Sequence, residues 1–255
     1  MSKPQLGIQL YSVRDRSERD FLGTIREMAE IGYRNVELAG IFGHSAREVR
    51  QTLDDAGLKA PSAHIGLPFK EPEKIGEHLK QQIEIALEIG LKRFIVPAYP
   101  LAEVPTEDDV AKFAAALQEA GETVKAAGLE FGYHNHAFEF KTVNGKAVID
   151  HLLERISPDL LFAEFDLGWV KVGGQDPAAY VRKYAGRVPV VHAKDFKDDG
   201  VDTEIGRGSV DWDSALAACE ETGVEYVIIE QERYDVNSLE SAKLNYAWFK
   251  ARGYE

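Results

Sequence analysis

The sequence predicts a (β/α)8 barrel, and three observations carry that prediction. Short apolar runs of strand type alternate with amphipathic helical stretches through to the end of the chain, giving eight units of about 30 residues each. No glycine-rich phosphate loop follows the first strand, where Gln9-Leu10-Tyr11-Ser12-Val13-Arg14 stands, and this argues against the rival doubly wound sheet. Ionisable side chains gather at the C-terminal ends of the strands, which is where a barrel carries its chemistry.

The elements follow in order. The first strand is Leu6 to Tyr11, and a helix from about Glu18 to Ile31 places Phe21, Ile25, Met28 and Ala29 at helical spacing before Gly32 stops it. Strand two, Asn35 to Leu38, precedes a helix over Ala46 to Ala56. Strand three, Lys59 to His64, precedes a helix over Glu73 to Ile89 closed by Gly90. Arg93 to Val96 is strand four, followed by an Ala-rich helix from Glu107 to Ala127. Strand five is Glu130 to His136, with a helix over Ala147 to Arg155. Strands six and seven are Leu160 to Asp166 and Pro189 to Lys194, with helices over Pro177 to Tyr184 and Asp211 to Thr222. Tyr226 to Glu230 is strand eight, and a helix over Ser238 to Arg252 ends the chain. No linker or shift in composition divides it, so one domain is expected over residues 1–255.

Composition narrows the function. The 30 Lys and Arg residues face 43 Asp and Glu, a formal charge of −13, which argues against attraction to nucleic acid phosphates or an anionic membrane. A small neutral ligand, or a metal held by acidic groups, fits better. The only cysteine is Cys219, which excludes an intrachain disulfide and a Cys-based zinc or iron–sulfur site. Without a signal-peptide core or an apolar run of membrane-spanning length, a cytoplasmic protein is expected.

The strand ends carry the chemistry. Gln9 and Tyr11 end strand one, Glu37 strand two, His64 strand three, and His134, Asn135 and His136 strand five. Glu164 and Asp166 end strand six, His192, Lys194 and Asp195 strand seven, and Glu230 and Glu232 strand eight. Burying so many ionisable groups costs several kcal/mol each unless they are paired, hydrated or bound to a cation. Alternation puts His134 with His136, Glu164 with Asp166, His192 with Lys194 and Glu230 with Glu232 on common faces. One member from each of strands five to eight, such as His134, Asp166, His192 and Glu230, gives two imidazoles and two carboxylates aimed at one point. That donor set suits Mn²⁺, Zn²⁺, Co²⁺ or Fe²⁺. Spacing alone leaves open whether Glu164 or Asp166, and His134 or His136, is the ligand. For single residues a plainer role competes: His64 as a core or capping histidine, Glu37 as the partner of an arginine, Asp211 as a helix N-cap. His44, His78 and His151 read as solvated. The loop Glu204 to Trp212 offers two glycines for close backbone approach and Arg207 as a fork for oxygens or a phosphate.

The segments Gly132-Tyr133-His134-Asn135-His136, Phe165-Asp166-Leu167-Gly168-Trp169, Val191-His192-Ala193-Lys194-Asp195, Gly206-Arg207-Gly208-Ser209-Val210-Asp211-Trp212 and Ile229-Glu230-Gln231-Glu232 resemble the sugar phosphate isomerase/epimerase family of the xylose isomerase-like TIM barrel superfamily. The resemblance covers nearly the whole chain. It implies a divalent metal, Mn²⁺ first with Zn²⁺, Co²⁺, Fe²⁺ or Mg²⁺ as alternatives, held by His134, Asp166, His192 and Glu230. One departure stands out: ketose epimerases of this family usually place Glu where this chain has His134, and here only Glu230 remains of the proton-exchanging pair. The Tyr-His-x-His motif is closer to the inosose dehydratase branch.

The expected function is a metal-dependent isomerase or epimerase of a keto-sugar or sugar derivative that abstracts a proton α to a carbonyl. Glu230 or His134 moves the proton and Lys194 steadies the developing oxyanion, while Glu37, His64, His136, Arg207 and Glu232 bind substrate. A dehydratase using the same metal site is the alternative, and a non-catalytic sugar-binding barrel the further one. The partner is a small carbohydrate, and a homodimer is expected by family analogy alone.

Overall fold

The computed structural model describes residues 3–255. Eight parallel strands close a barrel: β1 (Gln5–Gln9), β2 (Asn35–Leu38), β3 (Lys59–His64), β4 (Arg93–Val96), β5 (Glu130–His134), β6 (Phe162–Asp166), β7 (Val190–Ala193) and β8 (Tyr226–Ile229). Each pairs with its sequence neighbours, and β1 closes on β8 with Gln5 beside Tyr226 and Ile8 beside Ile229. The registers that set the site are Gln9 beside Glu37, Glu37 beside Ser62, His134 beside Glu164 and Asp166 beside His192.

Eight principal helices surround the strands: α1 (Phe21–Ile31), α2 (Ala46–Ala56), α3 (Ile75–Ile89), α4 (Glu107–Ala126), α5 (Val148–Arg155), α6 (Pro177–Lys183), α7 (Trp212–Thr222) and α8 (Ser238–Lys250). Their ends are fixed chemically. Ser45 with Glu48 and Thr106 with Asp109 form reciprocal capping boxes at α2 and α4, while Gly57, Gly90 and Gly223 end α2, α3 and α7 in the left-handed conformation. Strand side chains such as Ile8, Val36, Phe94 and Val227 pack with helix residues such as Ile25, Val49, Leu117 and Ala215 in one continuous core.

Several boundaries differ from the sequence reading for local reasons. α1 starts at Phe21 because the Asp20 side chain accepts from Gly23 N. β1 stops at Gln9, whose side chain accepts from Tyr11 N and turns Leu10–Val13 into a 3-10 helix. A helix over Leu167–Val172 was not anticipated; it follows β6 directly because Asp166 caps it through Trp169 N at 2.8 Å. Its second residue is Gly168, where a Cβ would stand 2.5 Å from the carbonyl oxygen of Lys194, so glycine lets this helix lie against the end of β7.

Candidate active site

A cavity of about 520 Å³ opens over the C-terminal ends of the strands, with Tyr11, His64, His134, His136, Glu230 and Glu232 as its polar wall. Beneath it the strand-end side chains form two connected groups. His134, Asp166, His192 and Glu230 bring one donor atom each within 4.8 Å of one another, and His64, His134, Glu164 and His192 do the same.

The hydrogen bonds distinguish the two groups. In the inner one, His192 Nε2 lies 2.7 Å from Glu37 Oε1 and His64 Nε2 lies 2.6 Å from Glu164 Oε2. His134 Nδ1 lies 3.1 Å from Glu164 Oε2. Glu37 also accepts from Gln9 Nε2 at 2.7 Å and from the Ser62 hydroxyl. In the outer group, His192 Nδ1 stands 3.1 Å from Glu230 Oε2, and Lys194 Nζ stands 3.4 Å from the same oxygen while also donating to Glu232. Asp166 Oδ1 is held by Trp169 N, but its Oδ2 is buried with no partner.

Protonation follows from this arrangement. Burial alone would raise Glu164, yet the His192 and His64 imidazoles hold it well below the usual carboxylate range. Burial opposes ionisation of Glu230 too, and Lys194 with His192 overcomes it. Burial would lower both His192 and His64, but carboxylates reverse the sign: Glu164 and Glu37 act on His192, and Glu37 and Glu164 on His64. His134 is held neutral by burial, and burial lowers His136 to about 4. Asp166 is pushed up to about 7 by burial against the opposing charge of Lys194.

These residues fit a divalent cation. Asp166 Oδ2 is the buried orphan acceptor that a cation would satisfy, and two imidazoles with two carboxylates are a donor set for such an ion.

Most of the residues expected from the sequence converge here, and two are placed otherwise than expected. Glu37 is fully buried beneath His64 and His192 and off the cavity wall, and its partners are imidazoles and not an arginine. Arg207 is exposed, pairs with Glu204 Oε2 at 3.2 Å and stands off the cavity wall, so its expected role as a substrate fork is not supported by its position. The loop that carries it is held from below. Asp195 accepts from the backbone N–H groups of Phe196, Gly206, Gly208 and Val210 and from the Trp212 indole. A Cβ at position 208 would stand 2.1 Å from Asp195 Oδ1. Those glycines therefore serve a turn around a buried carboxylate.

Sequence reasoning also passed over some participants. His78, expected in solvent, is half-buried, lines the cavity and contacts the Gly66 carbonyl oxygen at 3.0 Å. Glu139 accepts from the Tyr133 hydroxyl and from His136 N, anchoring the turn that follows His134. A Glu three residues after a strand-end histidine was the available signal for that bond.

A closed (β/α)8 barrel with imidazoles and carboxylates converging at its C-terminal mouth has the architecture of a barrel enzyme. The chain belongs to the xylose isomerase-like TIM barrel family, which it matches over residues 25–252. It is 27% identical over 209 residues to inosose dehydratase of Geobacillus kaustophilus, covering 75% of this chain and 67% of that protein. A 272-residue alignment with inosose dehydratase of Clostridium tetani shows 24% identity and covers 93% and 89%. A solved sugar phosphate isomerase/epimerase of Parabacteroides distasonis shares the fold, with a TM-score of 0.86 at 24% identity over 98% of each chain. Among the described residues no helix is long and apolar enough to cross a membrane.

Proposed function

We propose that this chain is a metal-dependent isomerase or epimerase that removes a proton α to the carbonyl of a keto-sugar or sugar derivative. The observation that carries the reading is the convergence of His134, Asp166, His192 and Glu230 beneath the cavity. A divalent cation held by these four, Mn²⁺ first, would supply electron withdrawal from a ketone and its neighbouring hydroxyl. Glu230, kept ionised by Lys194 and His192, takes the α-proton on a carboxylate oxygen. The Lys194 ammonium, 3.4 Å from Glu230, donates to the substrate oxygen on which negative charge collects. His64, His136 and Glu232 on the wall bind hydroxyls, and the low pKa of His136 keeps its ring neutral, able both to accept and to donate.

Elimination of a β-hydroxyl is the second reading, and a specific asymmetry favours it. β5 presents the neutral His134 to the cavity, leaving Glu230 without a facing carboxylate from that strand. One carboxylate base with the His64 imidazolium as proton donor suits loss of a leaving group, and the relatives named inosose dehydratase point the same way.

The test is deuterium exchange from solvent into keto-sugars by the Mn²⁺-loaded protein. Exchange at the α-carbon that falls about 10²–10⁴-fold in Glu230→Gln supports the assignment. Exchange that survives in a variant with normal metal content removes Glu230 as the base. Formation of an epimer or isomer selects the first reading, and growth of an enone absorbance selects the second.

A further inference from the structure

Glu37 and Glu164 remain without a role in the reading above, although the donor atoms of the His64–Glu164 group are as closely gathered as those of the outer group. We infer that Glu37 and Glu164 are positioning residues that fix the ring orientation and tautomer of two metal-binding histidines, and that their layer is not a second cation site. The inference rests on the metal reading proposed above and extends it to the layer beneath.

The geometry is specific about nitrogens. Glu164 Oε2 meets His134 at Nδ1, so a proton fixed there leaves Nε2 of that ring as its ligand atom. Glu37 Oε1 meets His192 at Nε2, which leaves Nδ1, the nitrogen 3.1 Å from Glu230 Oε2, facing the outer group. The two rings are thus held by opposite nitrogens and offer opposite nitrogens to one point. A neutral imidazole carries one N–H, so the carboxylate that accepts it decides which lone pair remains.

Glu37 is immobilised through both oxygens and Glu164 through Oε2, so the one atom of this layer left free is Glu164 Oε1, a single buried acceptor without a partner. Glu37 is fully buried and takes bonds from Gln9, Ser62 and His192, with His64 Nε2 3.1 Å from it. His64 spans the two anions, since the same nitrogen lies 2.6 Å from Glu164, and its ring stacks on His192 with centroids 4.9 Å apart at 12°. Glu164 Oε2 is therefore occupied by N–H donors from two rings, which a cation at that place would have to displace. A second ion would also compete with the first for His134 and His192, which belong to both groups.

The experiment is titration of the chelator-stripped protein with Co²⁺, followed by calorimetry and visible absorption. The wild type is expected to bind one ion per chain. Glu37→Gln and Glu164→Gln should keep that stoichiometry and a native circular dichroism spectrum, with Kd about 10–100-fold weaker and an altered Co²⁺ absorption band. Should Glu164→Gln fail to fold, Glu37→Gln carries the test through His192 alone. In the Zn²⁺-loaded wild type, ¹⁵N shifts of the imidazoles should report coordination at Nε2 of His134 and Nδ1 of His192. Unchanged Kd and spectrum in the folded variants, the opposite nitrogen assignment, or two ions in the wild type falling to one in Glu164→Gln would overturn the inference. A wild type that binds no Co²⁺, Mn²⁺ or Zn²⁺ overturns the metal reading itself.

Discussion

The two ends of the barrel solve the problem of buried charge in opposite ways. At the N-terminal end, Arg93 is buried but its guanidinium reaches the half-exposed carboxylates of Glu130 and Glu225 at 2.8 and 2.7 Å, with Phe162 and Tyr226 rings packed beside it. Each anion there is partly hydrated, so the plug is held with little desolvation of its carboxylates. At the C-terminal end, Glu37, Glu164, Asp166 and Glu230 are all buried, share imidazoles, and leave Asp166 Oδ2 and Glu164 Oε1 without partners. At the N-terminal end the unpartnered atom is one Arg93 nitrogen, on a cation whose two anions are half-exposed, whereas at the C-terminal end the unpartnered atoms are acceptors on fully buried carboxylates, which cost more to leave unsatisfied. The contrast identifies the end where the fold carries a cost in stability for the sake of chemistry.

That comparison can be broken or sharpened by experiment, and the largest effect belongs to the C-terminal end. His192→Ala, or chelation of the wild type, should abolish α-proton exchange and the rise in Tm expected when Mn²⁺ is added to the intact protein. A thermal shift with Mn²⁺ that persists in His192→Ala would locate the ion elsewhere. Arg93→Met at the opposite end should destabilise the fold by about 1–3 kcal/mol in urea unfolding and leave exchange per folded molecule unchanged; loss of exchange there would mean the two ends are coupled. Asp195→Asn comes next, because an amide offers an N–H where five donors converge, and a loss of about 2 kcal/mol is expected. Limited proteolysis should then cut within residues 204–211, and resistance equal to the wild type would show that the loop is held by other contacts.

A smaller effect follows from Glu139, which burial pushes up from 4.5 to about 8. A carboxyl that binds its proton more tightly in the folded state contributes stability that is complete below its unfolded pKa and is lost as pH rises through the folded one. The wild type should therefore lose stability relative to Glu139→Gln between pH 4.5 and about 8, and parallel curves over that window would refute the assignment. Ser45→Ala, which removes one cap of α2 far from either network, should cost only about 1 kcal/mol and leave metal binding untouched.

Much of this was legible in the chain. The helix caps, the glycine stops and the apolar runs are local signals, and they placed all eight strands and their principal helices to within a few residues. Alternation along a strand is local, so parity pointed to donors from strands five to eight sharing faces, but it left Glu164 or Asp166 and His134 or His136 open; the resemblance to the family supplied the choice of His134, Asp166, His192 and Glu230. Glu164 stood out by the same parity, but its partners come from β3, β5 and β7, which no spacing along one strand reveals. The helix after Asp166 was hidden because its cap is also a candidate ligand.

The sequence by itself determined the alternation of elements, the barrel and the donor types at its mouth, since periodicity and capping act over a few residues. Only the tertiary structure decided what each donor faces. It buried Glu37 beneath two histidines, turned Arg207 away from the cavity and wrapped a glycine loop around Asp195, because strand register and barrel closure set those distances, and both depend on residues far apart in the chain.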